Sequence, residues 1–136
     1  MNRFLLFVLL LGVLACGQGT ETDAPSTESP VPASAAPAYG QLSPAAFADK
    51  MEEEGVVLLD VRTPEEIAVG KIDGAVEMDY NDPDFAKQLA TLEKGPTYLV
   101  YCASGGRSNK ACTMMAEAGF EHVYNLEGGF TAWEQQ

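Results

Sequence analysis

Basic side chains and histidine are scarce in this chain. Eight Lys and Arg stand against twenty Asp and Glu, a formal net charge of −12. That imbalance disfavours nucleic acid or an anionic lipid surface as the partner of a folded domain, since both repel an acidic protein. The single histidine, His122, and the three cysteines form no cluster with metal-ligand spacing. A Walker-type phosphate loop is missing as well, so the sequence calls for neither a metal nor another cofactor. The apolar run from Phe4 to Leu11 is shorter than a membrane span, and no internal repeat is visible.

What is present divides into three parts. In residues 1–15, Met1-Asn2-Arg3 precedes that apolar run and Gly12-Val13-Leu14-Ala15, the pattern of a secretory signal peptide. Val13-Leu14-Ala15-Cys16 resembles a bacterial lipobox, which implies removal of the signal before Cys16 and lipidation of that cysteine. A conventional signal peptide, in which Cys16 has no special role, is the alternative. Gly17, where an aspartate would retain the lipoprotein at the inner membrane, implies an outer-membrane destination in a two-membrane cell. Residues 16–38 are rich in Pro, Ser, Thr, Ala and acids with almost no large apolar side chains. Such a segment cannot bury enough surface to offset its ordering entropy and reads as a disordered tether. The chain is thus expected to be exported and held at the membrane by its N-terminal lipid alone. Residues 39–136 have enough aliphatic content for one core and read as one domain.

Within that domain the stretch from Tyr98 to Ser108 carries the chemistry. Tyr98 to Tyr101 is a run of aromatic and branched residues after the stop signal Gly95-Pro96, and reads as a buried strand. Beyond it Ala111, Cys112, Met115 and Ala118 recur at helical spacing, and Gly119 is placed to end that helix in a left-handed conformation. Cys102 therefore falls at the bottom of a loop whose N–H groups, with the positive end of the helix dipole, point at its sulfur. Amide donors and Arg107 would stabilise a thiolate, the nucleophilic form of cysteine. Gly105 and Gly106 supply a permissive backbone, and Arg107 offers a fork of donors for an anionic group.

The remaining segments alternate between strand and helix. Ser43-Pro44 opens a helix through about Glu53 with Phe47 and Met51 inward, ended by Gly55. Val56 to Val61 is a continuous apolar run, as in a parallel strand covered on both faces. Thr63-Pro64-Glu65-Glu66 starts a second helix. Ala75 to Met78 reads as a short strand, Asp82 to Leu92 as a helix and Val123 to Leu126 as the last strand. The predicted class is α/β, an open parallel β-sheet flanked by helices on both faces, with ligand sites beyond the carboxyl ends of the strands.

Four blocks in order resemble a single rhodanese homology domain: Leu59 to Glu66, Gly70 to Ala75, Cys102 to Ser108, and Leu126 to Trp133. The resemblance runs from about Tyr39 to the C-terminus and implies the rhodanese sheet topology and a sulfurtransferase. It implies Cys102 as the catalytic residue, with Ala103, Ser104, Gly105, Gly106, Arg107 and Ser108 around the substrate. Asp60 and Arg62 match the family's Asp-x-Arg block and look like a structural ion pair. Lys71 stands where relatives often have histidine.

A thiolate in an anion cradle suits sulfur transfer through a cysteine persulfide or phosphoryl transfer through a cysteinyl phosphate. Cysteine-dependent phosphatases, including rhodanese-like ones, place one residue more between cysteine and arginine than the four found here. The smaller ring favours sulfur over phosphate or arsenate. The expected partners are a small sulfur compound, thiosulfate or a persulfide, with cyanide, a thiol or a thiol-bearing protein as acceptor. A sulfur carrier without turnover, or a binding module, is the alternative, although retention of Cys102 argues against a purely structural module. Cys112 reads as a packed core thiol rather than a resolving cysteine. Trp133, Phe130 and Met114 read as packing residues, and His122 as a surface or capping residue.

Overall fold

The computed structural model of the protein describes residues 38–136. The signal-peptide, Cys16 and tether readings fall on residues 1–37, outside the described residues, apart from the last tether residue, Ala38.

Five strands form one sheet: β1 (Gly40–Leu42), β2 (Val56–Asp60), β3 (Val76–Glu77), β4 (Thr97–Tyr101) and β5 (Val123–Leu126). Their order across the sheet is β1-β5-β4-β2-β3, and every neighbouring pair is parallel. Five helices connect and follow them: α1 (Pro44–Met51), α2 (Pro64–Val69), α3 (Phe85–Ala90), α4 (Gly106–Glu117) and α5 (Gly129–Trp133). The α/β class with a helix-flanked parallel sheet is as the sequence predicts.

The apolar runs of β2 and β4 are continuous because each feeds a core on both faces. Leu59, Tyr98 and Val100 pack with Phe85, Leu89, Ala111, Cys112 and Met115. Leu58, Leu99 and Tyr101 pack with Phe47 and Leu126, against which Phe130 and Trp133 also lie. Alternate residues of one strand thus enter opposite layers, as the two-residue pleat requires. Phe47, wholly buried, anchors α1; burial of such a side chain contributes roughly 1.5–3 kcal/mol.

Local signals set the helix starts. The Ser43 hydroxyl accepts from the Ala46 N–H, with Pro44 in the first turn. At α2, Thr63 and Glu66 form a reciprocal capping box. Helix α3 is shorter than predicted, starting at Phe85 rather than Asp82. The Asp82 carboxylate accepts from the Asp84 N–H at 2.7 Å, which holds residues 82–84 in a turn. Helix α1 stops at Met51 rather than near Glu53. Gly119 has the expected left-handed φ of 89°. Ala118, placed on the apolar stripe of α4, is exposed because the helix has already ended at Glu117. Strand β1 and helix α5 carry too little local pattern to be predicted.

The topology sends the chain in opposite directions from the two central strands. From β2 the chain moves outward to β3 on one side, and from β4 it moves to β5 on the other. Diverging connections at adjacent strands mark the carboxyl edge beside the β2–α2 and β4–α4 loops as the place where open α/β sheets bind ligands.

Candidate active site

Cys102 directly follows the central strand β4, and its side chain belongs to the same core layer as Tyr98 and Val100. The chain then turns sharply. Gly105, at φ 97°, ends the turn and caps α4. A Cβ there would meet the Leu126 carbonyl and the Gly128 nitrogen at ordinary contact distance, but this backbone conformation disfavours any side chain. The turn brings the Gly105 N–H to 3.1 Å from Cys102 Sγ, and the Ser108 hydroxyl, from the first turns of α4, to 3.4 Å.

These donors decide the protonation of the sulfur. Burial pushes the Cys102 thiol up, since it penalises the charged form. The Ser108 hydroxyl and the N–H groups of Ser108, Ser104 and Gly105 outweigh that penalty, and the net shift is downward. Cys102 is only 1% exposed. Its sulfur therefore lies on the floor of the cradle, and a reactant must present a slender terminal atom to reach it. Ser104 and Gly106 form the exposed rim, Ala103 and Arg107 are half-buried, and Ser108 is wholly buried.

Helix α5 fixes the loop from behind. The Phe130 N–H donates to the Cys102 carbonyl at 2.7 Å and the Thr131 N–H to the Ala103 carbonyl at 3.0 Å. With both carbonyls held away, the following N–H groups turn toward the sulfur. This contact needs Gly129: at its φ of 61°, a Cβ would lie 2.5 Å from the Cys102 oxygen and 2.7 Å from Ala103. Gly129 is thus a site residue that sequence reasoning left without a role. Its signal was the Gly128-Gly129 pair just after a strand. A polar chain ties the other side of α4 to β1. Asn125 Nδ2 donates to Gln41, while Gln41 and Tyr39 both donate to Asn109, whose own N–H bonds to the Gly105 carbonyl.

Asp60 and Arg62 form a fully buried ion pair. Arg62 Nε lies 2.9 Å and Nη2 2.6 Å from the two carboxylate oxygens, and Nη2 also donates to the Gly70 carbonyl. The guanidinium covers the Phe130 ring at 4.1 Å, so the pair braces α5 as well as the β2–α2 loop. Burial works against the Arg62 cation, but Asp60 raises its pKa on balance.

Arg107 is engaged within the chain. Its two terminal nitrogens donate to the two oxygens of Glu66 at 2.8 and 2.7 Å, joining α4 to α2. Two of its five N–H donors are therefore committed to Glu66, so the fork expected to orient a substrate anion is shared with a carboxylate of the chain itself. The partner, Glu66, is held well below the usual carboxylate range, at about 2, chiefly by the Arg107 hydrogen bonds. Cys112 is buried in the same core layer as Cys102, and burial pushes its thiol up to about 12. Lys71 pairs with Glu77 on the surface, and His122 is exposed. Among the described residues, no group of three or more His, Cys, Asp and Glu is placed to hold a metal ion.

A parallel α/β sheet that delivers a hydrogen-bonded thiol at the carboxyl end of its central strand defines a class of proteins built around a cysteine loop. The model of the rhodanese-like domain matches residues 43–136, and the chain belongs to that family. It is 37% identical over 82 residues to a sulfurtransferase of Allochromatium vinosum, covering 60% of this chain and 75% of the relative. Thiosulfate sulfurtransferase 16 of Arabidopsis thaliana is 40% identical over 85 residues, covering 55% and 71%. The tRNA uridine(34) hydroxylase of Cytophaga hutchinsonii is 41% identical over 91 residues, covering 65% of this chain but only 29% of the relative. Among solved structures, a rhodanese-like domain protein of Staphylococcus aureus superposes with a TM-score of 0.62 at 30% identity, over 69% of this chain and 90% of that one.

Proposed function

We propose that the protein is a sulfurtransferase that moves a sulfane sulfur, from thiosulfate or a persulfide donor, to a cyanide or thiol acceptor through a persulfide on Cys102. The observation that carries this reading is the pair of donors, Gly105 N–H and Ser108 hydroxyl, aimed at a thiol whose pKa is lowered. The Cys102 thiolate pair forms an S–S bond to the outer sulfur of the donor. The donor's own S–S bond breaks, and its electron pair leaves on sulfite or on a thiolate. The terminal sulfur left on Cys102 carries the negative charge that the loop amides had stabilised on Sγ, so the cradle serves both states without rearranging. An acceptor nucleophile then attacks that terminal sulfur and returns Cys102 as thiolate. A six-residue ring from Cys102 to Arg107 supports sulfur over phosphate as the transferred group.

The reading extends to place. A lipid on Cys16 and the Pro/Ser/Thr/Ala tether would hold the domain at the periplasmic side of the cell envelope, where a thiol-bearing protein is a natural acceptor. Incubation of the purified chain with thiosulfate or a persulfide, followed by intact mass measurement, tests the chemistry. One added sulfur on the wild type and none on Cys102→Ala is the expected result, and equal loading of both would overturn it. Multiple turnovers with cyanide distinguish an enzyme from a carrier that loads once.

A further inference from the structure

The first turns of α2 and α4 are joined by a bridge, Glu66 to Arg107, and the Arg107 cation lies within electrostatic reach of Cys102. Glu66 leaves little of itself free: one oxygen also accepts the Thr63 N–H at 3.0 Å, so the carboxylate is fixed by helix capping from one side and by arginine from the other. Asp79 lies within electrostatic reach of the same guanidinium. The positive charge of Arg107, which Cys102 feels, is therefore offset by Glu66 in direct contact and by Asp79 at longer range. Arg107 also has both terminal nitrogens already bonded. A doubly charged donor therefore meets an arginine whose charge is already balanced within the chain.

Resting on the sulfur-transfer reading above, we infer that Glu66 is a specificity-determining residue that turns the site away from dianionic donors such as thiosulfate and toward persulfides carried on a thiol. A persulfide brings at most one negative charge and a slender terminal sulfur, which suits both the balanced charge of Arg107 and the depth of Cys102. In either case the same bond forms, Cys102 Sγ to the sulfane sulfur. The leaving group differs: sulfite, with two charges to expel past an arginine already balanced by Glu66, or a thiolate with one.

The test is the rate of Cys102 persulfide formation from thiosulfate and from cysteine persulfide, in the full chain, for the wild type, Glu66→Gln and Asp79→Asn. Glutamine keeps an acceptor for the Thr63 cap and for Arg107, so Glu66→Gln removes charge with little change of shape. The wild type is expected to load from cysteine persulfide faster than from thiosulfate. Glu66→Gln should raise kcat/KM for thiosulfate about tenfold and change that for cysteine persulfide less than about twofold. Asp79→Asn, which leaves the bridge intact, should shift the ratio in the same direction by about twofold to threefold. Both gains should shrink as salt is raised, which a merely structural role for Glu66 would not produce. A donor ratio that stays the same in both variants, or a wild type that prefers thiosulfate, overturns the inference while leaving sulfur transfer standing. Failure of every donor to load Cys102 removes both.

Discussion

Cys102 and Cys112 sit ten residues apart in sequence, share one core layer and are both almost fully buried, yet their thiols are driven in opposite directions. Burial alone raises a thiol pKa, and Cys112 shows that effect. Cys102 experiences the same penalty and overcomes it, because its sulfur receives the Ser108 hydroxyl and the amides of a tight loop. Depth therefore does not decide reactivity here; the direction of nearby N–H and O–H groups does. Cys112 lies inside α4, where the amides are committed to the helix, whereas Cys102 precedes the helix, where the first amides lack carbonyl partners.

The comparison can be broken most severely by substituting one thiol at a time. Cys102→Ala should abolish sulfur loading in a mass or cyanide assay. Cys112→Ala should keep it at near wild-type rate and cost only about 1 kcal/mol in urea unfolding. Loss of loading in both would mean that the two sulfurs act together.

Gly129→Ala attacks the support of the loop rather than the thiol. The added methyl collides with the Cys102 and Ala103 backbone, and the expected cost is roughly 2–3 kcal/mol of stability. Loading slowed by more than the unfolded fraction explains would show that the loop geometry itself is lost. Wild-type melting and activity would show that α5 is dispensable to the cradle.

Removing a single donor should be milder. In Ser108→Ala the sulfur keeps its amides, so the Cys102 pKa should rise and loading at neutral pH should fall several-fold. Alkylation of native wild type followed across pH reads the same quantity. The Cys102 rate should level off below the pH expected of an ordinary thiol of pKa about 8.5, and Ser108→Ala should move that plateau upward. Cys112 should stay unlabelled until the chain is unfolded. Because the folded Cys102 pKa is depressed, its thiolate stabilises the fold above the unfolded thiol pKa. That contribution is lost as pH falls through the lower folded value.

Local signals explain which parts of the site could be read in advance. The change from a strand-like run at Tyr98–Tyr101 to helical spacing beyond Gly106, with glycines between, marks a strand-loop-helix around Cys102 without any knowledge of distant contacts. Pro44 and Pro64, each after a capping hydroxyl, marked two helix starts correctly. What was not legible has two causes, a local competing hydrogen bond and contacts with distant segments. Asp82 and Asp84 look like a helix start, but a side chain bonding to the backbone two residues on competes with the helix and delays it to Phe85. Strand β1 is three residues long and is held by pairing with β5 at the far end of the chain. Arg107 is the sharpest case. Its position beside the cysteine loop suggested a donor fork for a substrate anion, and nothing near it in sequence reveals that both terminal nitrogens also donate to Glu66, 41 residues earlier.

The amino-acid order alone determined the alternation of elements, the helix caps and the placing of a cysteine between a buried strand and a helix start. All of these follow from steric and hydrogen-bonding preferences acting over a few residues. Tertiary structure decided the rest: which strand lies in the middle of the sheet, which way the loop amides face, and how the charge of Arg107 is balanced. Those outcomes depend on α5 gripping the Cys102 and Ala103 carbonyls and on Glu66 reaching Arg107. Such contacts form only once distant segments pack against one another.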